Sequence, residues 1–235
     1  MTKRFEGQLA LVTGASRGIG AATAKALAAE GAHVILTART AGALEQVEEA
    51  IHATGGTATI APLDLIETDS IARLASAVAE RWGTLDILVL NAATLGSLSA
   101  VQAIDPKEFA KVMTLNVSAQ QALIAAFDSA LRKSARARVV GVTSKVGRQP
   151  RAFWGAYGAS KAAFETLIQA YGEEVEGISN IRVALLDPGA TRTAMRERAY
   201  PGEDPASVKP PELVADKIVE LVASDVASGH VERMG

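Results

Sequence analysis

Seven short apolar, β-branched runs alternate with longer alanine-rich stretches along the chain, and this alternation narrows the fold more than any other feature. The runs cover residues 9–13, 33–37, 57–61, 87–90, 138–143, 181–186 and, more weakly, 230–234. Between them, residues 18–30, 41–53, 69–82, 107–133, 157–175 and 211–223 carry apolar side chains at three- and four-residue spacing, the period of an amphipathic helix. Strands that are apolar almost throughout must be covered on both faces, so the pattern predicts a parallel sheet between two helical layers. No tight hairpin signal joins any two runs, which excludes an antiparallel arrangement. Right-handed crossovers then give one doubly wound α/β domain over residues 1–235, with about seven strands and helices on both faces. Residues 190–210, with Pro201, Pro205 and Pro210, interrupt the pattern and read as a substrate loop rather than a domain boundary.

Composition removes several classes of function. The 235 residues carry 24 Lys and Arg against 26 Asp and Glu, a formal charge of −2. No cationic excess is available to neutralise nucleic-acid or membrane phosphates. There is no cysteine, hence no disulfide and no thiol chemistry, and three histidines give little material for a metal site. No apolar run is long enough to span a bilayer, and the first residues, with Lys3, Arg4 and Glu6, lack the apolar core of a signal peptide. The expected location is the cytoplasm.

The first run leads into Thr13-Gly14-Ala15-Ser16-Arg17-Gly18-Ile19-Gly20 and then a helix. Glycines let the backbone approach a pyrophosphate, and a helix N-terminus offers free N–H groups and a positive dipole end. The spacing is G-x-x-x-G-x-G, a variant of the Rossmann-type dinucleotide turn. The second run ends at Ala38-Arg39, where an NAD-selective site places a carboxylate on the ribose 2′-hydroxyl. Arg39 and Arg17 suit a 2′-phosphate instead, so the expected cofactor is NADP(H) in preference to NAD(H). Asp64, next to Leu65, reads either as an adenine acceptor or as a helix cap, a role Asp69 suits better. Asn91-Ala92-Ala93 ends the fourth run, at the sheet edge where ligands bind.

Ser144 ends the fifth run, and Tyr157 and Lys161 follow on one helix face at i,i+4. A phenol is a poor base at neutral pH until cations beside it favour the phenolate. Such a Tyr exchanges a proton with a carbonyl or alcohol oxygen while hydride moves to or from nicotinamide, and Ser144 orients the same oxygen.

Together the motifs resemble the short-chain dehydrogenase/reductase family in its shorter, single-domain form, within a bacterial branch. The resemblance runs along the whole chain: Thr13-Gly14-x-x-x-Gly18-x-Gly20, Asn91-Ala92-Ala93, Asn116, Ser144, Tyr157-x-x-x-Lys161 and Pro188-Gly189 followed by Thr193. Ala93 stands where many members have Gly, and Leu90 where many have Asn. The resemblance implies a Ser144–Tyr157–Lys161 centre with Asn116 as a fourth member that supports a water beside Lys161. It implies that Lys161 also holds the nicotinamide ribose and that Thr13 braces the loop carrying Asn91. Pro188-Gly189 would turn the chain past the nicotinamide, with Thr191 or Thr193 at its carboxamide. Cofactor contacts from Ser16, Ile19, Leu65, Ala92 and Ala93 belong to the same implication.

By position after the fourth to sixth runs, Leu95, Val146, Phe153, Trp154, Met195 and Tyr200 form an apolar candidate substrate pocket. Arg148, Arg151, Arg192, Arg196 and Arg198 flank it, either as anion recognition or as solvated partners of Glu197, Glu203 and Asp204. Trp82 and Phe109 read as packing aromatics, and none of the histidines is assigned to catalysis. The leading reading is an NADP(H)-dependent carbonyl reductase or alcohol dehydrogenase, EC class 1.1.1. The alternatives are a 3-oxoacyl thioester reductase acting on carrier-linked substrates and an NADPH-binding sensor without turnover. A homodimer or homotetramer is expected, from the family and from apolar surface on 107–133 and 157–175. The chain closes soon after the last run, where many members continue, which would weaken one subunit interface.

Overall fold

The computed structural model describes residues 3–235. Seven parallel strands form one sheet in the order β3-β2-β1-β4-β5-β6-β7. They are β1 (Leu9–Thr13), β2 (His33–Ala38), β3 (Thr57–Pro62), β4 (Ile87–Leu90), β5 (Ala137–Val142), β6 (Ile181–Asp187) and β7 (His230–Arg233). The helices are α1 (Gly18–Ala29), α2 (Ala41–Ala53), α3 (Thr68–Arg81), α4 (Pro106–Met113), α5 (Ala119–Lys133), α6 (Gly155–Val175), α7 (Ala194–Ala199) and α8 (Pro211–Ala223).

Alternation along each strand builds two cores. Val12, Val34, Leu36 and Val89 face Leu27, Leu44, Ile51 and Ile218 of α1, α2 and α8. Their neighbours Leu11, Ile35 and Leu88 face Ile71, Leu123, Phe127, Phe164 and Ile168 of α3, α5 and α6. Successive side chains point to opposite faces of a strand, so runs that are apolar throughout feed both layers.

Two stretches differ from the sequence expectation. Residues 107–133 are not one helix: a π-helical turn at Thr114–Ser118 separates α4 from α5. Apolar spacing continues through the break, so periodicity gave no sign of it. Asp105 starts α4 by accepting from the Lys107 and Glu108 amides, with Pro106 in the first turn. The loop at 190–210 contains α7, which Thr193 caps through the Arg196 amide. Phe109, expected to pack, is 37% exposed. It is also the one member of 107–133 and 157–175 among the exposed large hydrophobic residues described.

Among the described residues no helix is long and apolar enough to cross a membrane. No cluster of His, Cys, Asp or Glu there is placed to hold a metal ion.

Candidate active site

The chain reverses its direction of winding between β1 and β4, and a crevice must open there at the carboxyl ends of the strands. A cleft of about 770 Å³ occupies that position. Its walls come from the Gly14 turn, the ends of β2 to β6, α4 and α7.

Gly14 has φ +66°, a left-handed conformation that fits glycine, and turns the chain from β1 towards α1. No side chain caps α1, which leaves its first-turn amides to a ligand. Ser16, Arg17, Gly18 and Ile19 line the cleft, but Gly20 does not. A Cβ at Gly20 would lie 2.2 Å from the Gly14 carbonyl oxygen. Gly20 therefore serves the close packing of α1 on the turn.

Thr13 holds the opposite wall. Its buried hydroxyl donates to the Val89 carbonyl at 3.1 Å and accepts from the Asn91 and Ala92 amides at 2.9 and 3.0 Å. The Asn91 side chain donates to the Thr13 carbonyl at 2.8 Å. Asn91, Ala92 and Ala93 all line the cleft. Gln120 of α5, which sequence reasoning passed over, adds a bond from its amide to the Ala92 carbonyl at 3.1 Å. A glutamine on a helix carries no motif, so only its placement reveals the role.

At the far end of the cleft, Arg17 and Arg39 are both exposed, and neither forms an ion pair among the described residues. Asp64 and Leu65 lie beside them. Asp64 accepts from the Ile66 amide at 3.1 Å and so shapes its own loop. Neither Asp64 nor Asp69 caps α3, whose N-cap position is Glu67.

Ser144, Tyr157 and Lys161 meet at the other end of the cleft. Tyr157 is 8% exposed, and burial pushes its phenol well above the ordinary range. The Asp187 charge adds to that rise, and a hydrogen bond with Ser144 opposes it. Lys161 is 4% exposed and donates to the Val142 carbonyl at 2.8 Å. Burial lowers its ammonium to about 8, against the pull of Glu165 and Asp187. The Lys161 cation and the charged ring of a bound nicotinamide are together the influences expected to lower the phenol. Here the ammonium lies 5.8 Å from the ring centroid, and burial dominates the phenol.

Asn116 sits inside the π-helical turn, a local irregularity that often marks functional sites. It is buried, and its side chain bonds the Thr94 amide and carbonyl at 2.8 and 2.9 Å and Ser160 Oγ at 2.9 Å. It does not line the cleft, so its direct partners are the loop after β4 and the helix of Tyr157.

Pro188, Gly189, Thr191 and Thr193 line the same end. The Thr191 hydroxyl donates to the Pro188 and Gly189 carbonyls at 3.2 and 3.3 Å, so it stabilises that turn. The Thr193 hydroxyl caps α7 beside Gly18.

Of the substrate candidates, Leu95, Trp154 and Met195 line the cleft, while Val146, Phe153 and Tyr200 do not. Val146 belongs to a short 3₁₀ turn at Lys145–Gly147, and its carbonyl faces Gly158. Phe153 has φ +70° and is 61% exposed. Tyr200 packs behind Trp154: its ring lies 5.8 Å from Trp154 and 3.7 Å from the Arg196 guanidinium. Its hydroxyl accepts from Arg151. Trp154 in turn meets Tyr157 edge to face at 6.0 Å. Arg196 pairs with Glu203, and Arg148 pairs with Glu165 and Asp187. The cleft also takes in Glu108 and Lys111 of α4, which the expectation of one unbroken helix concealed.

Comparison with known proteins gives the family and the fold. The family model for short chain dehydrogenases matches residues 8–204. An uncharacterised oxidoreductase of Escherichia coli K12, YciK, is 38% identical over 221 residues, 93% of this chain and 87% of that protein. A short chain dehydrogenase structure from Pseudomonas syringae superposes with a TM-score of 0.95 at 37% identity, covering 99% of this chain and 96% of the other. Another, from Escherichia coli CFT073 in complex with NADPH, gives 0.94 at 36% identity over 99% and 98%.

Proposed function

The chain belongs to the short-chain dehydrogenase family of oxidoreductases, and on that premise we propose that it uses NADP(H) to interconvert a carbonyl and a primary or secondary alcohol. One observation carries the proposal: a single cleft has two unpaired arginines at one end and the Ser144–Tyr157–Lys161 group at the other.

The residues fit a dinucleotide. The open first turn of α1 suits a pyrophosphate, Asp64 and Leu65 flank an adenine position, and Arg17 and Arg39 suit a 2′-phosphate. Their cations, with no carboxylate at the end of β2, support NADP(H) over NAD(H). The NADPH complex of a 36% identical relative supports the same choice.

When bound, the nicotinamide supplies a hydride in reduction and accepts one in oxidation. Ser144 holds the substrate oxygen by a hydrogen bond. Tyr157 gives its phenolic proton to that oxygen in reduction and takes the alcohol proton in oxidation. Lys161, as the ammonium, stabilises the phenolate and holds the ribose hydroxyls. Asn116 positions the loop after β4 against α6 and supports the proton route past Lys161. Leu95, Trp154 and Met195 shield the reacting carbon and favour an apolar substituent.

Of the cations that would favour a carrier-linked thioester, Arg148 and Arg196 are committed to internal ion pairs, whereas Arg198 lines the cleft and keeps that reading as the alternative. A sensor without turnover has no use for the assembled proton-transfer group. Assembly as a homodimer or homotetramer is part of the proposal and is read by sedimentation.

The test is consumption of NADPH, and in parallel NADH, over aldehydes, ketones, quinones and 3-oxoacyl thioesters. The proposal expects turnover of an apolar carbonyl with NADPH and weak turnover with NADH. Equal use of NADH overturns the cofactor assignment, and turnover of thioesters alone overturns the substrate assignment.

A further inference from the structure

Arg148, counted in the sequence among the cations at the substrate mouth, turns away from it. It does not line the cleft, and its guanidinium lies between two carboxylates, Glu165 of α6 and Asp187 at the end of β6. Both carboxylates are largely shielded, with side chains 10% and 4% exposed. Thr143, just past β5, donates to Glu165 Oε1 at 2.8 Å, and Asp187 Oδ1 accepts from the Gly189 amide at 3.2 Å. Three segments therefore meet at one guanidinium. The first carries Ser144, the second carries Tyr157 and Lys161, and the third leads into Pro188-Gly189. Glu165 follows Lys161 by four residues and Tyr157 by eight, so all three share a face of α6.

A lone guanidinium between two buried carboxylates neutralises only part of their charge, and what remains acts on the nearest titratable groups. Those groups are Tyr157 and Lys161. From α6 they face each other, and Lys161 also faces Glu165. From β6 they face Asp187. From β5 and its end they meet the Val142 carbonyl and the Ser144 hydroxyl, while Thr143 and Arg148 reach them only through the carboxylates they bind. Lys209, ahead of α8, places its ammonium near Gly189 while donating to the Met234 carbonyl. On the side of the π-helical turn the neighbour is the neutral Asn116–Ser160 pair.

We propose that Arg148 is a positioning residue: it ties the ends of β5 and β6 to α6 and offsets the Glu165 and Asp187 carboxylates, thereby setting the pH range in which Tyr157 and Lys161 work. This rests on the reading of Tyr157 and Lys161 as the proton-transfer pair. Negative charge raises the pKa of an ammonium and of a phenol alike. Removing the guanidinium leaves both carboxylate charges unopposed and must move Lys161 upward, while removing Asp187, which acts on both groups, must move both downward.

The first measurement is an NMR titration of the cofactor-free protein labelled at the lysine ε-carbons, with Lys161→Met identifying the Lys161 signal. Arg148→Met should raise the Lys161 midpoint by about one pH unit. Arg148→Lys should hold it near the wild-type value, and the isosteric Asp187→Asn should lower it. In alcohol oxidation, the acid limb of kcat/KM should move in the same directions. If Arg148→Met does not fold, Asp187→Asn carries the test with the opposite sign. A Lys161 midpoint that stays in place in the folded variants overturns the proposal, as does loss of activity with an unshifted pH profile, the mark of a structural role alone. The titration needs no turnover, so shifted midpoints in a protein without activity would uphold the role of Arg148 and count only against the proposed reaction.

Discussion

Replacing Thr13 by Val keeps the shape of the side chain and removes one hydroxyl. That hydroxyl is fully buried and makes three hydrogen bonds, to the Val89 carbonyl and from the Asn91 and Ala92 amides. At about 1 kcal/mol net for each bond, Thr13→Val should cost about 3 kcal/mol. For a chain of this size that corresponds to a fall in Tm of about 6–12 °C. Thr13→Ser keeps the hydroxyl and loses a methyl group, which costs about 1 kcal/mol. Urea unfolding of the three proteins, read by fluorescence, measures both values. The order of stability should be wild type, then Ser, then Val, although valine is the more apolar residue. Because the loop at Asn91–Ala93 lines the cleft, NADPH affinity should fall in the same order. A Val variant as stable as the Ser variant would refute the claim that Thr13 holds the two strands and the loop together.

Three further outcomes are expected. Arg17→Ala and Arg39→Ala should each weaken NADPH binding about tenfold and leave NADH binding unchanged, since each removes a charge-assisted contact to the 2′-phosphate alone; fluorescence titration at two salt concentrations reads both effects. Lys161 is held at about 8 when folded, against 10.5 when unfolded, so above pH 8 the unfolded chain binds more protons and stability rises with pH towards 10.5. Lys161→Met should flatten that rise, about 3 kcal/mol in full, as measured by urea unfolding between about pH 8 and about pH 10. Tyr200→Ala removes the ring held by Trp154, Arg151 and Arg196 and should raise KM for an apolar carbonyl about fivefold with NADPH affinity intact.

The sheet was legible in the sequence because its central strands feed two cores, which keeps them apolar at most positions, as in Leu88 and Val89. That Ser144, Tyr157 and Lys161 share one cleft was legible because i,i+4 spacing puts the last two on one helix face and Ser144 ends a strand at the same sheet edge. The π-helical turn was hidden because an inserted residue shifts a helical pattern without removing apolar side chains, so 107–133 read as continuous. Arg148 misled because sequence position gives a loop and not a direction. Its partners lie 17 and 39 residues away. Phe153 and Tyr200 were misplaced for the same reason: backbone conformation and a short helix decide which way each side chain turns.

Proton transfer by Tyr157 in an NADP(H)-dependent carbonyl reaction is the proposal on which the other roles in the cleft depend. The most direct measurement compares wild type and Tyr157→Phe for product formation with NADPH and the best carbonyl of a panel, alongside NADPH binding to each. The account predicts turnover by the wild type, a loss of at least about 10²-fold in the Phe variant, and equal NADPH affinity for the two proteins. Turnover that survives in Tyr157→Phe, or tight NADPH binding without turnover of any carbonyl by the wild type, would contradict it.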